Sequence, residues 1–114
     1  MQTNALKTIL AQQLASPSSK NAITKVGFGE GSIAPSPTDS ALTNPYMKNI
    51  DSYAILSASA VQFNYSLGYN EANGKTIKEV GLFTTGGILV AREVRNTIEK
   101  DSDTSLSGSI TILF

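Results

Sequence analysis

A chain of 114 residues with nine basic and nine acidic side chains, no Cys and no His fits one domain and narrows the chemistry open to it. Zero net charge lacks the basic excess of a dedicated DNA or RNA binder, and the missing Cys and His remove disulfides, thiolate nucleophiles, sulfur-bound zinc and the usual general base near neutral pH. Hydrophobic residues, at 40 %, are too many for a disordered tail, no apolar run approaches the roughly 18 residues of a membrane span, and Met1 to Ser19 lacks the apolar block of a secretory signal.

Charged residues make up only 16 % of the chain, against about 25 % in a typical soluble protein. Ser, Thr and Asn take their place. A neutral, hydroxyl-rich surface suits close packing against other protein, because few charges need desolvating.

Asn4 to Leu14 is predicted to be a helix, with Leu6, Ile9, Leu10 and Leu14 on one stripe. Thr3 or Asn4 caps its start, and Ser16-Pro17-Ser18-Ser19 ends it. Three turns are marginal alone, so the stripe has to dock, either on the domain's own sheet or on a neighbouring subunit. The period then changes to two. Ala22 to Phe28 is a predicted strand closed by Gly29-Glu30-Gly31. Ser32 to Asn44, punctuated by Pro35 and Pro37, is a long loop, and loops of that length usually have a functional reason. Ser52 to Ala58 is a strand. Val61 to Tyr69 is the clearest one, its apolar residues alternating with Gln62, Asn64, Ser66 and Gly68. Asn73-Gly74 marks a turn.

Lys75 to Thr85 and Ile88 to Asn96 form a predicted hairpin around a two-residue Gly86-Gly87 loop. That register sets Phe83 opposite Val90, Gly81 opposite Arg92 and Glu79 opposite Val94. Glu79 and Arg92 then share one face diagonally, and Lys78 and Glu93 the other, each pair worth a few tenths of a kcal/mol. Thr97 to Leu106 reads as a polar loop. Ser107 to Phe114 is the last strand, with Ile110, Ile112 and Phe114 on one face. The expected fold is mainly β, a small antiparallel sheet or sandwich with one N-terminal amphipathic helix. Residues 1–20 form the helix and linker used in assembly, and 21–114 a β-rich domain.

Catalytic and ligand motifs are weak. Gly27-Phe28-Gly29-Glu30-Gly31 lacks the G-x-G-x-x-G spacing and is followed by no helix, so it reads as a tight strand exit. Asp101-Ser102-Asp103 supplies too few oxygens for calcium, which takes six to eight. No serine has a His partner or a G-x-S-x-G elbow. Tyr46, Tyr53, Tyr65, Tyr69 and Phe63 could form a sugar platform, but Tyr65 and Tyr69 fall on the apolar strand face, which favours core or interface packing.

Three stretches carry a resemblance. They are ITKVGFGEGSIAPSPTDSALTNPY (Ile23 to Tyr46), TIKEVGLFTTGGILVAREV (Thr76 to Val94) and the closing SGSITILF. Their order, with I-K-E-V-G-L-F the most specific part, resembles the N-terminal attachment domain of phage tail-collar fibre proteins. The resemblance implies a virion structural role, joining a tail fibre to the baseplate, in a protein assembled in the host cytoplasm. The family domain usually opens a long fibre, and the chain ends where that domain ends, so it is expected to be either a fragment of a fibre or a free-standing baseplate or tail adaptor. The implied partners are the chain itself, as a trimer or ring, and other tail, baseplate or fibre proteins. The helix stripe (Leu6, Ile9, Leu10, Leu14) and the last strand (Ile110, Ile112, Phe114) are the expected contact residues. No cofactor, metal, nucleic acid, membrane or enzymatic activity is expected. The rival readings are a carbohydrate- or receptor-binding module and a head or neck stopper or decoration protein.

Overall fold

The computed structural model describes residues 2–15 and 22–113, the side chains of 11–15 excepted. The expected helix stop at Ser16-Pro17-Ser18-Ser19, the Leu14 side chain and Phe114 lie outside the described residues. The elements are α1 (Asn4–Ala15), β1 (Ile23–Gly29), β2 (Tyr46–Asn49), β3 (Ser52–Ser57), β4 (Ala60–Leu67), β5 (Thr76–Thr84), β6 (Leu89–Glu99) and β7 (Leu106–Leu113). The protein is mainly β, as its alternating patterns predict. One antiparallel sheet has the order β2-β1-β5-β6 and the other β3-β4-β7.

One core lies between the sheets. Val26 and Phe28 of β1 and Val80 and Leu82 of β5 meet Phe63, Tyr65 and Leu67 of β4 and Ile110 and Ile112 of β7. Phe28 and Tyr65 make an edge-to-face contact, ring centroids 5.5 Å apart. From Gln62 to Leu67 strand β4 behaves as its period-two pattern requires, odd residues inward and even residues outward. On the outer face Gln62 donates to Ser109 at 3.1 Å, and Asn64 to Ser52 at 3.1 Å.

Helix α1 belongs to this domain rather than to a separate segment. Gln2 bridges to Ala91, and the Thr3 amide donates to the Val90 carbonyl at 3.0 Å. The Asn4 amide donates to Pro37 at 2.7 Å. These bonds steer the helix so that Leu6 and Ile9 enter the shared core. The boundary expected at residue 20 therefore does not separate two units of packing. Burying such side chains stabilises the fold by about 1.5–3 kcal/mol each.

One strand went unpredicted and two expectations change. Tyr46–Asn49 forms β2 on the edge of β1, although Lys48 and Asn49 hide any apolar alternation. The β5–β6 hairpin keeps Gly81 opposite Arg92 and Glu79 opposite Val94, but Phe83 faces Leu89 instead of Val90. The loop has three residues, not two: the Gly87 amide donates to Thr84 and the Thr84 amide to Ile88. Gly87 has a φ of 89°, the left-handed residue that closes such a loop, and a bulge at Val90, between the Leu82–Ala91 and Phe83–Leu89 pairs, restores the expected register beyond it. Finally, Thr97–Glu99 continue β6, with Glu99 opposite Thr76, where a polar loop was expected. Lys100, just beyond, is buried and donates to Asn73 at 2.9 Å and to the Asp101 carbonyl at 2.8 Å.

Candidate functional site

The outer face of the four-stranded sheet is closed by the Glu30–Asn44 loop. Gly27 of β1 lies opposite Gly81 of β5, and Leu42 of the loop sits over both, 2.9 and 3.2 Å from where a Cβ would stand. One step along, the Glu79 carboxyl group occupies the space a side chain at Gly29 would need. Glu79 is 1 % exposed. Its carboxylate accepts hydrogen bonds from Arg92 Nε at 2.6 Å, the Gly31 amide at 2.9 Å and the Thr43 amide at 2.7 Å. Arg92 also pairs with Asp39 at 3.2 Å, and Asp39 accepts from the Ser36 amide at 2.9 Å. That amide, followed by the Arg92 guanidinium, holds the Asp39 carboxyl below its ordinary range. Glu30 closes the far end of the loop, taking bonds from the Asn44 side chain and the Thr76 amide, which lower its pKa in that order.

This arrangement is a clamp. A buried carboxylate with three donors in place orients backbone. It also leaves the Gly31 amide bonded to a carboxylate from inside the fold, and so not open to a phosphate.

At the other end of β1 the two sheets leave an open groove of about 850 Å³. Ile23, Ile50, Tyr53, Ile55, Val61 and Phe63 supply its large apolar side chains, and Lys25 and Asp51 also line it. The inner side chains of β3 border this groove instead of facing the opposite sheet. Tyr53 is 64 % exposed, Ile55 73 % and Leu56 56 %. Strand β3 pairs with β4 on one side only and is an edge of its sheet. It carries no charge and no proline, two of the usual protections of an edge; its one protection is a bulge between Ile55 and Ser57.

The chain has no match among protein-family models, curated proteins or solved structures. Among the described residues no helix is long and apolar enough to cross a membrane, and no group of three or more acidic residues stands ready for a metal ion.

The predicted contact residues fall elsewhere than expected. Leu6, Ile9, Ile110 and Ile112 are buried within this chain, and Leu10 packs partly against the same core. They fill the interior because α1 docks on its own domain and β7 turns its even residues inward, so they offer no free surface. The tyrosines do not gather into a platform. Tyr65 is buried against Phe28, the exposed Tyr53 pairs with Phe63 near the middle of β4, and Tyr69, expected on the apolar strand face, lies beyond the strand's end at Leu67 and is exposed. Asp101 accepts from the Asp103 amide at 2.9 Å and the Thr104 hydroxyl at 2.8 Å, which makes Asp101-Ser102-Asp103 a self-capped turn. Glu79 escaped the sequence reading as a buried group. Its signal was present in Gly27, Gly29 and Gly31, whose period of two strips one strand face of side chains and invites a covering element.

Proposed function

We propose that this chain is a structural component of a phage or phage-like tail, placed at the baseplate or at the attachment of a tail fibre. It acts by association, not by chemistry. The observation that carries this reading is the meeting of two of the three stretches behind the resemblance. Glu79, from I-K-E-V-G-L-F, closes on the amides of Gly31 and Thr43, which bracket the Pro-rich loop of the first stretch. Residues far apart along the chain thus form one unit, which supports reading the stretches together. The uncharged, exposed β3 edge supports an assembly role as well, since open backbone edges and apolar side chains are what a partner strand needs.

The test is location. An epitope inserted at the exposed Ser102-Asp103 turn would be imaged by antibody labelling of tail particles from the producing cells. Label at the baseplate or fibre junction is the expected result. Label confined to the unsedimented fraction overturns the proposal.

A further inference from the structure

We propose that β3 is the seam of a two-fold pair, in which the open edge of Ser52–Ser57 joins antiparallel to the same edge of a second copy, centred on Ala54. The inference rests on the assembly reading above and names its surface and symmetry. Each copy would extend its β3-β4-β7 sheet into the other's, giving six continuous strands.

Charge favours a second copy as the occupant. No charged residue occurs between Asp51 and Glu71, and none from Leu106 onward. The whole three-stranded sheet is therefore neutral. Two copies brought edge to edge bring no like charges together, and few groups need desolvating.

Register follows from the faces. A two-fold axis perpendicular to the sheet keeps inner side chains inner, so one residue of β3 has to meet itself on the axis. Centring on Ala54 sets Tyr53 opposite the second copy's Ile55, a favourable aromatic and β-branched pair. Asp51 then lies opposite Ser57, beyond the apolar pairs. Centring on Ile55 would instead oppose Tyr53 to Ser57. Centring on Tyr53 would press Asp51 against Ile55. Of the three, only the Ala54 register gives both Tyr53 and Ile55 an apolar partner and keeps Asp51 away from them. The Tyr53 and Ile55 side chains of both copies would then line the groove mouth as one apolar row.

Area sets the strength. Tyr53, Ile55 and Leu56, exposed by 64, 73 and 56 %, together offer about 400 Å² per copy. The pair buries at most about 800 Å², below the ~1,200 Å² at which standard interfaces begin. The seam is thus a weak and reversible contact that needs the high local concentration of an assembly.

The native chain has no Cys, which makes the test simple. In Ala54→Cys the two sulfurs would face each other across the axis. Opposed Cα atoms in antiparallel strands are about 4.5–5.5 Å apart, within disulfide range. Thr111→Cys, exposed on the outer face of β7, is the control. Under mild oxidation Ala54→Cys is expected to form covalent dimer at least about tenfold faster than Thr111→Cys. Sedimentation of the unmodified chain is expected to show a monomer–dimer equilibrium that Ile55→Lys weakens at least about tenfold, with an unchanged melting temperature. Equal cross-linking of the two Cys variants, a trimer, a strict monomer up to millimolar concentration, or an Ile55→Lys dimer of full strength would each overturn the seam. Should Ile55→Lys still enter tail particles while the purified chain stays monomeric, the seam falls and the tail reading stands. Should the dimer form but the chain stay out of particles, the tail reading falls alone.

Discussion

At the C-terminal end of β1 the amides of Gly31 and Thr43 close on the buried Glu79 carboxylate, whereas at its N-terminal end Ile23, Ile50 and Tyr53 border an open groove. The closed end uses charge, glycine and a long loop to fix the backbone. The open end leaves its apolar wall uncovered, with Lys25 and Asp51 beside it. The same strand thus joins a region built for rigidity to a region built for contact. The division is written in composition too, because the clamp's Asp39, Glu79 and Arg92 all lie outside the neutral β3–β4 hairpin. Stability and binding should therefore respond to different substitutions.

The sharpest break is at Glu79. Glu79→Ala leaves a buried guanidinium without one partner and two backbone amides without acceptors. Removing one member of such a pair costs about 3–5 kcal/mol, which would lower the melting temperature by more than about 10 °C. Amide exchange at Gly31 and Thr43 should accelerate in step. A loss under about 1 kcal/mol would show that the loop holds itself and that the clamp is incidental.

Leu6 and Ile9 come next. Leu6→Ser or Ile9→Ser empties a core position and inserts a hydroxyl, at about 2–4 kcal/mol each. Urea unfolding measures this directly. Unchanged unfolding midpoints, with only assembly impaired, would place the stripe on a neighbouring subunit after all.

Much of this contrast is legible in the sequence. Alternation in Val61 to Tyr69 predicted β4, and the hairpin register placed Glu79 diagonal to Arg92 on one face. What escaped was burial by distant chain. The Glu79–Arg92 pair looked like a surface contact because nothing local shows that Leu42, Asp39 and Thr43 return over it. Helix α1 posed the same problem. Its stripe shows that Leu6 and Ile9 dock, and only the Gln2–Ala91 bridge and the Thr3–Val90 bond say where. Strand β2 was silent because four residues with one Lys and one Asn carry no period.

Acid should loosen the closed end before the open one. Asp39 is held low by the Ser36 amide and then by Arg92, Glu30 by the Asn44 side chain and then the Thr76 amide, and Glu71 by Lys48 and then the Gly68 amide. A carboxylate with a lowered folded pKa contributes stability above its unfolded value, about 4, and loses it as pH falls through the folded value. The melting temperature should therefore stay level above about pH 5 and decline below about pH 4. In Asp39→Asn that decline should be shallower. A decline beginning near pH 6 would point to groups other than these.

The smallest effect is expected at the open end. Tyr53 stacks only loosely on Phe63, with ring centroids 6.4 Å apart, and most of its surface already meets water. Tyr53→Ser removes little buried area, so the change should stay within about 0.5–1 kcal/mol. Leu56→Lys, at the edge bulge, should fall within about 0.5 kcal/mol. Equilibrium urea unfolding read by midpoint and slope would test both, since an unchanged slope shows that the denatured state is the same. A loss as large as that of Leu6→Ser would mean that Tyr53 is covered in the folded chain, and the distinction between a closed and an open end of β1 would collapse. If stability holds while self-association fails, the open end is a surface the domain can alter without disturbing its own fold.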